Sequence, residues 1–258
     1  LPLSHIAEQL FTIHLAATFG YPVWFAEDIY KVKDVLQVAR PTFFFGVPRI
    51  WEKFRSALET RLDEASGLRA KLVDWCRQVG LEAGYERIET GEVTGLLSWK
   101  YKLADKLFFS KLKGKLGLDR LRIAISAAAP IGVEVLEFFL SCDIPIREVY
   151  GQSEDCGPTT VNYPEPGETK FGTVGLPFPG VEVEIADDGM YEGEPEGEIL
   201  VKGKNVFQGY FKDPEATEET FDGEWLRSGD IGVFDEDGFL QITGRKKEII
   251  RSEERRVG

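Results

Sequence analysis

The stretch "LRIAISAAAPIGVEVLEFFLSCDIPIREVYGQSE", Leu121 to Glu154, decides the fold. "LRIAIS" reads as a short strand, "AAAP" as a tight turn, "IGVEVLEFFLSC" as an apolar helix and "IPIREVYG" as a second buried strand. Strand, helix and strand within roughly thirty residues make the repeating unit of a parallel sheet. The rhythm extends upstream, where "YPVWFA" reads as a strand, "DIYKVKDVLQVA" as an amphipathic helix and "TFFFGV" as a buried strand. In open α/β sheets, ligands bind outside the carboxyl ends of the strands. Two strands of this chain end there in unusual sequences, "SAAAP" and "YGQSE".

Around this unit the pattern changes twice. "SHIAEQLFTIHLAATF" spaces Ile6, Leu10, Ile13 and Ala17 as a helix does, with Ser4 placed to cap it. From about residue 48 to 117 the chain turns helical and charged: "PRIWEKFRSALETRLDEAS" opens on Pro48, a favourable first-turn residue. The lysine-rich "LLSWKYKLADKLFFSKLKGKLG" ends on glycine. Its lysines read as a solvated face, with a contact to CoA phosphates or a membrane surface as the alternative. After about Phe171, short runs such as "VEVEI", "GEILVKG" and "GFLQITG" alternate with Gly, Pro and Asp clusters, as in a small antiparallel β subdomain. The expected fold is α/β: a parallel-sheet subdomain over 1–170, with a helical insertion at about 48–117, then a β-rich subdomain over 171–243.

Lys+Arg 31 against Asp+Glu 44 gives 31 − 44 = −13. That balance excludes a general nucleic-acid binder, whose affinity rests on basic surface, but leaves room for a nucleotide pocket with its own local field. Cys76, Cys142 and Cys156 lack metal-ligand spacing and read as free thiols of a reducing compartment. No apolar run approaches the roughly 20 residues that span a bilayer. No signal peptide is visible, and a cytoplasmic protein is expected, with a peripheral membrane contact as the refinement.

The residues at the strand ends have chemical meaning. Ala127, Ala128 and Ala129 would let a planar group approach the backbone, or simply allow close packing. Tyr150 could stack on a base after the bend at Gly151, Ser153 could donate to a phosphate, and Glu154 could ligate Mg²⁺, which takes one or two carboxylates with phosphate and water oxygens. In "GEWLRSGDIGVFDEDGFLQITGRKKEII", Asp230 is placed to hold both hydroxyls of a ribose, and Arg245 to reach the same sugar or a phosphate. Each has a plainer reading, as a turn carboxylate or a surface arginine.

"SAAAP", "YGQSE", "WLRSGD" and "GRKKEII" stand in the order and approximate spacing of the adenylate-forming superfamily. With "LPLSHIAEQ" and "PTFFFGVPRIWEKF", the chain resembles the long-chain fatty-acid–CoA ligases of the bubblegum-type and bacterial long-chain branches. The resemblance implies ATP and CoA as co-substrates, Mg²⁺ as cofactor and a fatty acid as the group activated. It implies an adenine site of Ala127, Ala128, Ala129, Pro130, Tyr150 and Gly151, and a phosphate contact at Ser153, where the family usually has threonine. It also implies Glu154 on the metal, Asp230 and Arg245 on the ribose or phosphate, and Lys247 as the hinge to a C-terminal domain within 244–250. His5 matches a position near the carboxylate and acyl pocket, with an ordinary helix-start histidine as the alternative, and the resemblance implies a catalytic set of Glu154, Ser153 and His5. Phe43, Phe44, Phe45 and the helix of Trp51 are candidates for an acyl tunnel or for plain core. A fatty-acyl-AMP ligase and a non-catalytic nucleotide-binding protein are the competing readings.

Both ends of the chain bear on this reading. The start falls in mid-pattern without methionine, so the family's phosphate-gripping loop is expected before Leu1 and its catalytic lysine domain after Ile250. The octapeptide "RSEERRVG", residues 251–258, has a permitted reverse translation matching the opening of a common sequencing-library adapter and is expected to be translated adapter. These 258 residues alone are accordingly expected to be inactive.

Overall fold

The computed structural model describes residues 3–28, 30–186 and 196–246. Lys247 and the 251–258 octapeptide lie outside the described residues. Compactness divides the chain into two units. One holds the described residues of 1–20, 149–162 and 173–258; the other holds those of 21–148 and 163–172. The sequence reading places its boundary near residue 170, whereas the division by compactness assigns the first turns and the "YGQSE" segment to the β-rich unit.

The chain opens on helix: α1 (Ile6–Glu8), a π-helical stretch over Gln9–His14, and α2 (Leu15–Phe19), closed by Gly20 in the left-handed region. The cap is His5, not Ser4. The His5 Nδ1 accepts the Ala7 N–H at 3.2 Å, so the ring nitrogen does what a serine oxygen would have done one residue earlier.

The second unit begins at Tyr21. The expected "YPVWFA" strand does not form: residues 21–26 carry no ladder, with Trp24 56% and Phe25 74% exposed. Pro22 lacks an N–H to give a ladder, and an apolar run without a neighbouring edge has nothing to make it a strand. Then follow α3 (Val32–Ala39), β1 (Phe43–Gly46), α4 (Pro48–Asp63), α5 (Leu68–Thr90) and α6 (Gly95–Ala104). After a π-helical turn (Asp105–Phe109) come α7 (Ser110–Leu116), β2 (Ile123–Ala127) and α8 (Val133–Ser141), and β3 (Ile146–Gln152) starts here. The strands β1 and β2 pair in parallel, Phe43 opposite Ile123 through Gly46 opposite Ser126.

Trp51 anchors this unit. Fully buried, it donates from Nε1 to Gly46 O at 3.1 Å and Ile125 O at 3.2 Å, tying α4 to the end of β1 and the middle of β2. Its ring meets Phe44 and Phe139 edge-on, with centroids 5.3 and 5.2 Å away. Aromatic pairs of this geometry add about 0.5–1.5 kcal/mol each beyond burial. Asp143 gathers the helical insertion, accepting from Arg87 on α5, Tyr101 OH on α6 and Lys113 on α7.

In the first unit, the end of β3 pairs antiparallel with β4 (Gly157–Val161), which pairs with β5 (Leu176–Pro177). Then come β6 (Val181–Ile185), β7 (Gly197–Gly203), α9 (Pro214–Thr220), β8 (Phe221–Asp222), β9 (Trp225–Phe234) and β10 (Leu240–Arg245). They form an antiparallel sheet in the order β10-β9-β7-β6, with β8 on β9. Alternation in "VEVEI" turns Val181, Val183 and Ile185 to one face, where Ile199, Val201, Leu226 and Leu240 complete the core. The architecture is α/β, a mixed sheet and an antiparallel sheet, as the sequence predicts.

Candidate active site

Asp230 sits on an interruption of β9. Glu198 pairs with Ile231 and Leu200 with Arg227, so Ser228, Gly229 and Asp230 bulge opposite Ile199 alone. Gly229 makes the bulge possible with φ +72°, a conformation that a side chain disfavours. Glu198, 3% exposed, holds it: Oε1 accepts the Gly229 N–H at 3.1 Å, and Oε2 accepts Arg227 at 3.0 Å and Lys246 Nζ at 2.8 Å. The bulge re-aims Asp230, whose Oδ2 accepts Tyr150 OH at 2.8 Å and whose Oδ1 accepts Arg245 Nε at 2.7 Å. Arg245 stands directly opposite Asp230 in the β10–β9 register.

Three residues proposed from separate motifs therefore meet. Tyr150 is 8% exposed and packs with Val181, Ile199 and Leu240, so its ring is held in the core while its hydroxyl serves Asp230. Burial, and then the Asp230 charge, drive the phenol pKa well above 10, so it remains a donor at every physiological pH. A carboxylate offers about four lone-pair directions. Two are used here, leaving capacity for a diol.

The segment after Tyr150 is a tight loop built on close backbone approach. A Cβ on Gly151 would stand 1.7 Å from Gly157 O, across the irregular β3–β4 pairing. Gly151→Ala is expected to cost about 3 kcal/mol through displaced backbone. A urea midpoint equal to that of the wild type would contradict the approach described. Asp155 is fully buried and shapes the loop, accepting Gln152 N–H at 2.9 Å and the Thr159 hydroxyl, while its carbonyl accepts Asn205 Nδ2 at 3.1 Å. Glu154 is thereby the outward carboxylate of the pair. Its Oε1 accepts Tyr210 OH at 2.9 Å, and its carbonyl accepts Phe207 N–H at 2.7 Å. The Ser153 side chain is exposed beside it.

The other expected residues are placed as follows. Ala127 ends β2; Ala128 (φ +72°), Ala129 and Pro130 are exposed in the following turn of the other unit. His5 is the cap described above, leaving Nε2 as the ring nitrogen for a ligand. Phe44 and Trp51 are core, and Phe43 and Phe45 are half-buried. Among the described residues no group of three or more His, Cys, Asp or Glu could hold a metal by itself. Sequence reasoning missed Tyr210, Asp155 and Glu198. Only "SED" offered a hint, as a second carboxylate beside the first.

The family profile described as AMP-binding enzyme matches residues 1–211. The "Long-chain-fatty-acid--CoA ligase ACSBG2" of Xenopus laevis is 40% identical over 254 residues, 97% of this chain and 33% of that protein. "Long-chain-fatty-acid--CoA ligase FadD15" of Mycobacterium bovis is 36% identical over 97% of this chain and 39% of its own length. The chain thus spans about a third to two-fifths of the length of the curated relatives it matches. The o-succinylbenzoate CoA synthetase (MenE) of Bacillus subtilis, solved with AMP, shares the fold at a TM-score of 0.63 and 23% identity, covering 96% of this chain and 40% of its own. The motif order, the fold and a profile matching more than three-quarters of the residues agree, and the chain belongs to the AMP-binding enzyme family.

Proposed function

We propose that these residues are the ribose, phosphate and metal corner of a long-chain fatty-acid–CoA ligase. The observation that carries the reading is the convergence of Tyr150, Asp230 and Arg245 on one bulge, with Glu154 four residues beyond Tyr150 in the loop that follows β3. The names of the relatives at 36–40% identity support the fatty-acid substrate and CoA as acceptor.

In the first half-reaction a fatty carboxylate attacks the α-phosphorus of ATP; the acyl O–P bond forms, the α–β bridge breaks and pyrophosphate leaves. In the second, the CoA thiol gives up its proton and attacks the acyl carbonyl, forming the C–S bond and releasing AMP. Both steps bring negative groups together, so the protein contributes positioning and fixed charge. Asp230 holds the sugar by its hydroxyls, fixing the α-phosphate in space. Arg245, 66% exposed at its side chain, neutralises Asp230 and brings positive charge to the nucleotide. The Ser153 hydroxyl donates to a phosphate oxygen.

Glu154 suits Mg²⁺: the Tyr210 hydroxyl orients one of its oxygens, and such an ion needs only one or two carboxylates when substrate phosphates and water complete its shell. When bound, the ion neutralises phosphate charge. The B. subtilis synthetase, solved with ATP and a magnesium ion, carries both on this fold.

The test is fatty-acid-dependent ATP–pyrophosphate exchange by the full natural protein, followed by thioester formation on adding CoA. Exchange is expected, and Glu154→Gln should lower it by about 100-fold, the range for a preorganised electrostatic group. Exchange without CoA-dependent thioester would make it a fatty-acyl-AMP ligase; nucleotide binding without exchange would make it non-catalytic.

A further inference from the structure

The helical insertion of the second unit presents an apolar stripe to solvent. Leu96, Trp99, Leu103 and Leu107 follow one another at steps of three, four and four residues, and they are 71, 74, 51 and 36% exposed. That spacing keeps them on one face of α6 and the turn after it. The opposite face, with Tyr101, Ala104, Phe108 and Phe109, is the one that packs on α5. A globular helix hides its apolar stripe and exposes its polar one; this helix has an apolar stripe on each side.

What flanks the outer stripe is uniform in sign. Lys100 follows Trp99, while Lys102 and Lys106 precede Leu103 and Leu107, and all three are exposed. At about 100° per residue they fall on opposite flanks of the stripe. Residues 95–117 hold six lysines and one acid, 6 − 1 = +5, in a chain whose net charge is −13. The acid, Asp105, is half-buried and accepts the Ser110 hydroxyl at 2.8 Å. Lys113 is spent on Asp143, so five lysines face outward. Leu107 also lines an adjoining groove of about 580 Å³ with Leu72, whose rim carries Arg61, Arg69, Lys111 and Lys115, with Glu64 as its acid.

From an exposed Leu/Trp stripe, lysines on both flanks and a cationic groove continuing it, we infer that this face docks on an anionic phospholipid surface. Leucines and the indole enter the headgroup boundary, and the long lysine stems lie along the apolar surface with their ammonium groups on lipid phosphates. No helix among the described residues is long and apolar enough to cross a membrane, so the contact is interfacial. It stands independently of the Tyr150, Asp230 and Arg245 cluster, because none of its residues belongs to that unit.

The experiment is flotation of the full natural protein with vesicles of phosphatidylcholine, with and without 30% phosphatidylserine. Binding is expected to the anionic vesicles only and to weaken with salt. Lys100→Glu/Lys102→Glu/Lys106→Glu should reduce it by about 100-fold, and Trp99→Ala/Leu103→Ser by about tenfold. All five positions are exposed, so unfolding midpoints should not move. Equal binding to both vesicle types, or binding unchanged in both variants, would overturn the docking assignment. So would a wild-type protein that stays unbound, with Trp99 covered by a second copy or by another segment of the natural protein.

Discussion

Asp230→Ala is expected to lower kcat/KM for acyl adenylation by about 100- to 10,000-fold. Two charge-assisted hydrogen bonds to the ribose, at about 1.5–3 kcal/mol each, set that range. Stability should fall much less, because the loss there is the acceptor of the buried Tyr150 hydroxyl, about 1–3 kcal/mol. Tyr150→Phe separates the two effects: it removes the same Tyr150–Asp230 bond and keeps the carboxylate and Arg245. If Asp230 holds the nucleotide, Tyr150→Phe should lose stability to a similar degree but far less activity. If both variants lose activity in proportion to their shifts in unfolding midpoint, Asp230 is only a structural acceptor, and the sugar must be held elsewhere.

Much of this cluster was legible before any coordinates. Tyr150 lies near the end of β3 and Arg245 ends β10, and strand ends are where α/β enzymes place ligands; Asp230, which reads as a strand end in sequence, lies instead within β9, on its bulge. Alternation identified β6, β7 and β10, and the aromatic run "TFFFGV" identified β1. What escaped depends on partners far along the chain. Nothing near Glu154 announces Tyr210, which lies 56 residues away and orients it. Nothing near Asp230 announces Glu198, whose carboxylate makes the bulge that aims Asp230 inward. Asp155 and Glu154 look alike in sequence, and only burial tells loop-former from ligand. The opening helix misled in a different way: periodicity predicts its face, but not the π-helical stretch at Gln9–His14, which shifts that face partway along. "YPVWFA" shows the reverse error, since β propensity describes a surface to be packed and fails where no neighbour supplies one.

Glu148 should make this protein lose stability as pH rises from 5 to 9. The side chain is 7% exposed in β3, and its Oε2 has no hydrogen-bond partner among the described residues. Burial raises its pKa from 4.5 to about 8, against the weaker opposing pull of the Gly172 N–H. The unfolded chain releases this proton near pH 4.5, whereas the folded chain keeps it until about 8. Between those values the native state binds one more proton. The stabilisation is complete below about 4.5 and declines by up to about 1.4 kcal/mol per pH unit until it is lost above about 8. Glu148→Gln has no proton to lose, so the difference between wild-type and variant urea midpoints should change with pH, the variant gaining on the wild type toward pH 9. Other titrating groups are shared by both proteins and cancel in that difference. Parallel midpoint curves from pH 5 to 9 would mean that Glu148 is ionised in the fold and that its second oxygen has found a donor. A widening gap would mean that a neutral acid sits two residues before Tyr150, and that the strand carrying the site is weakened by base before the site itself titrates.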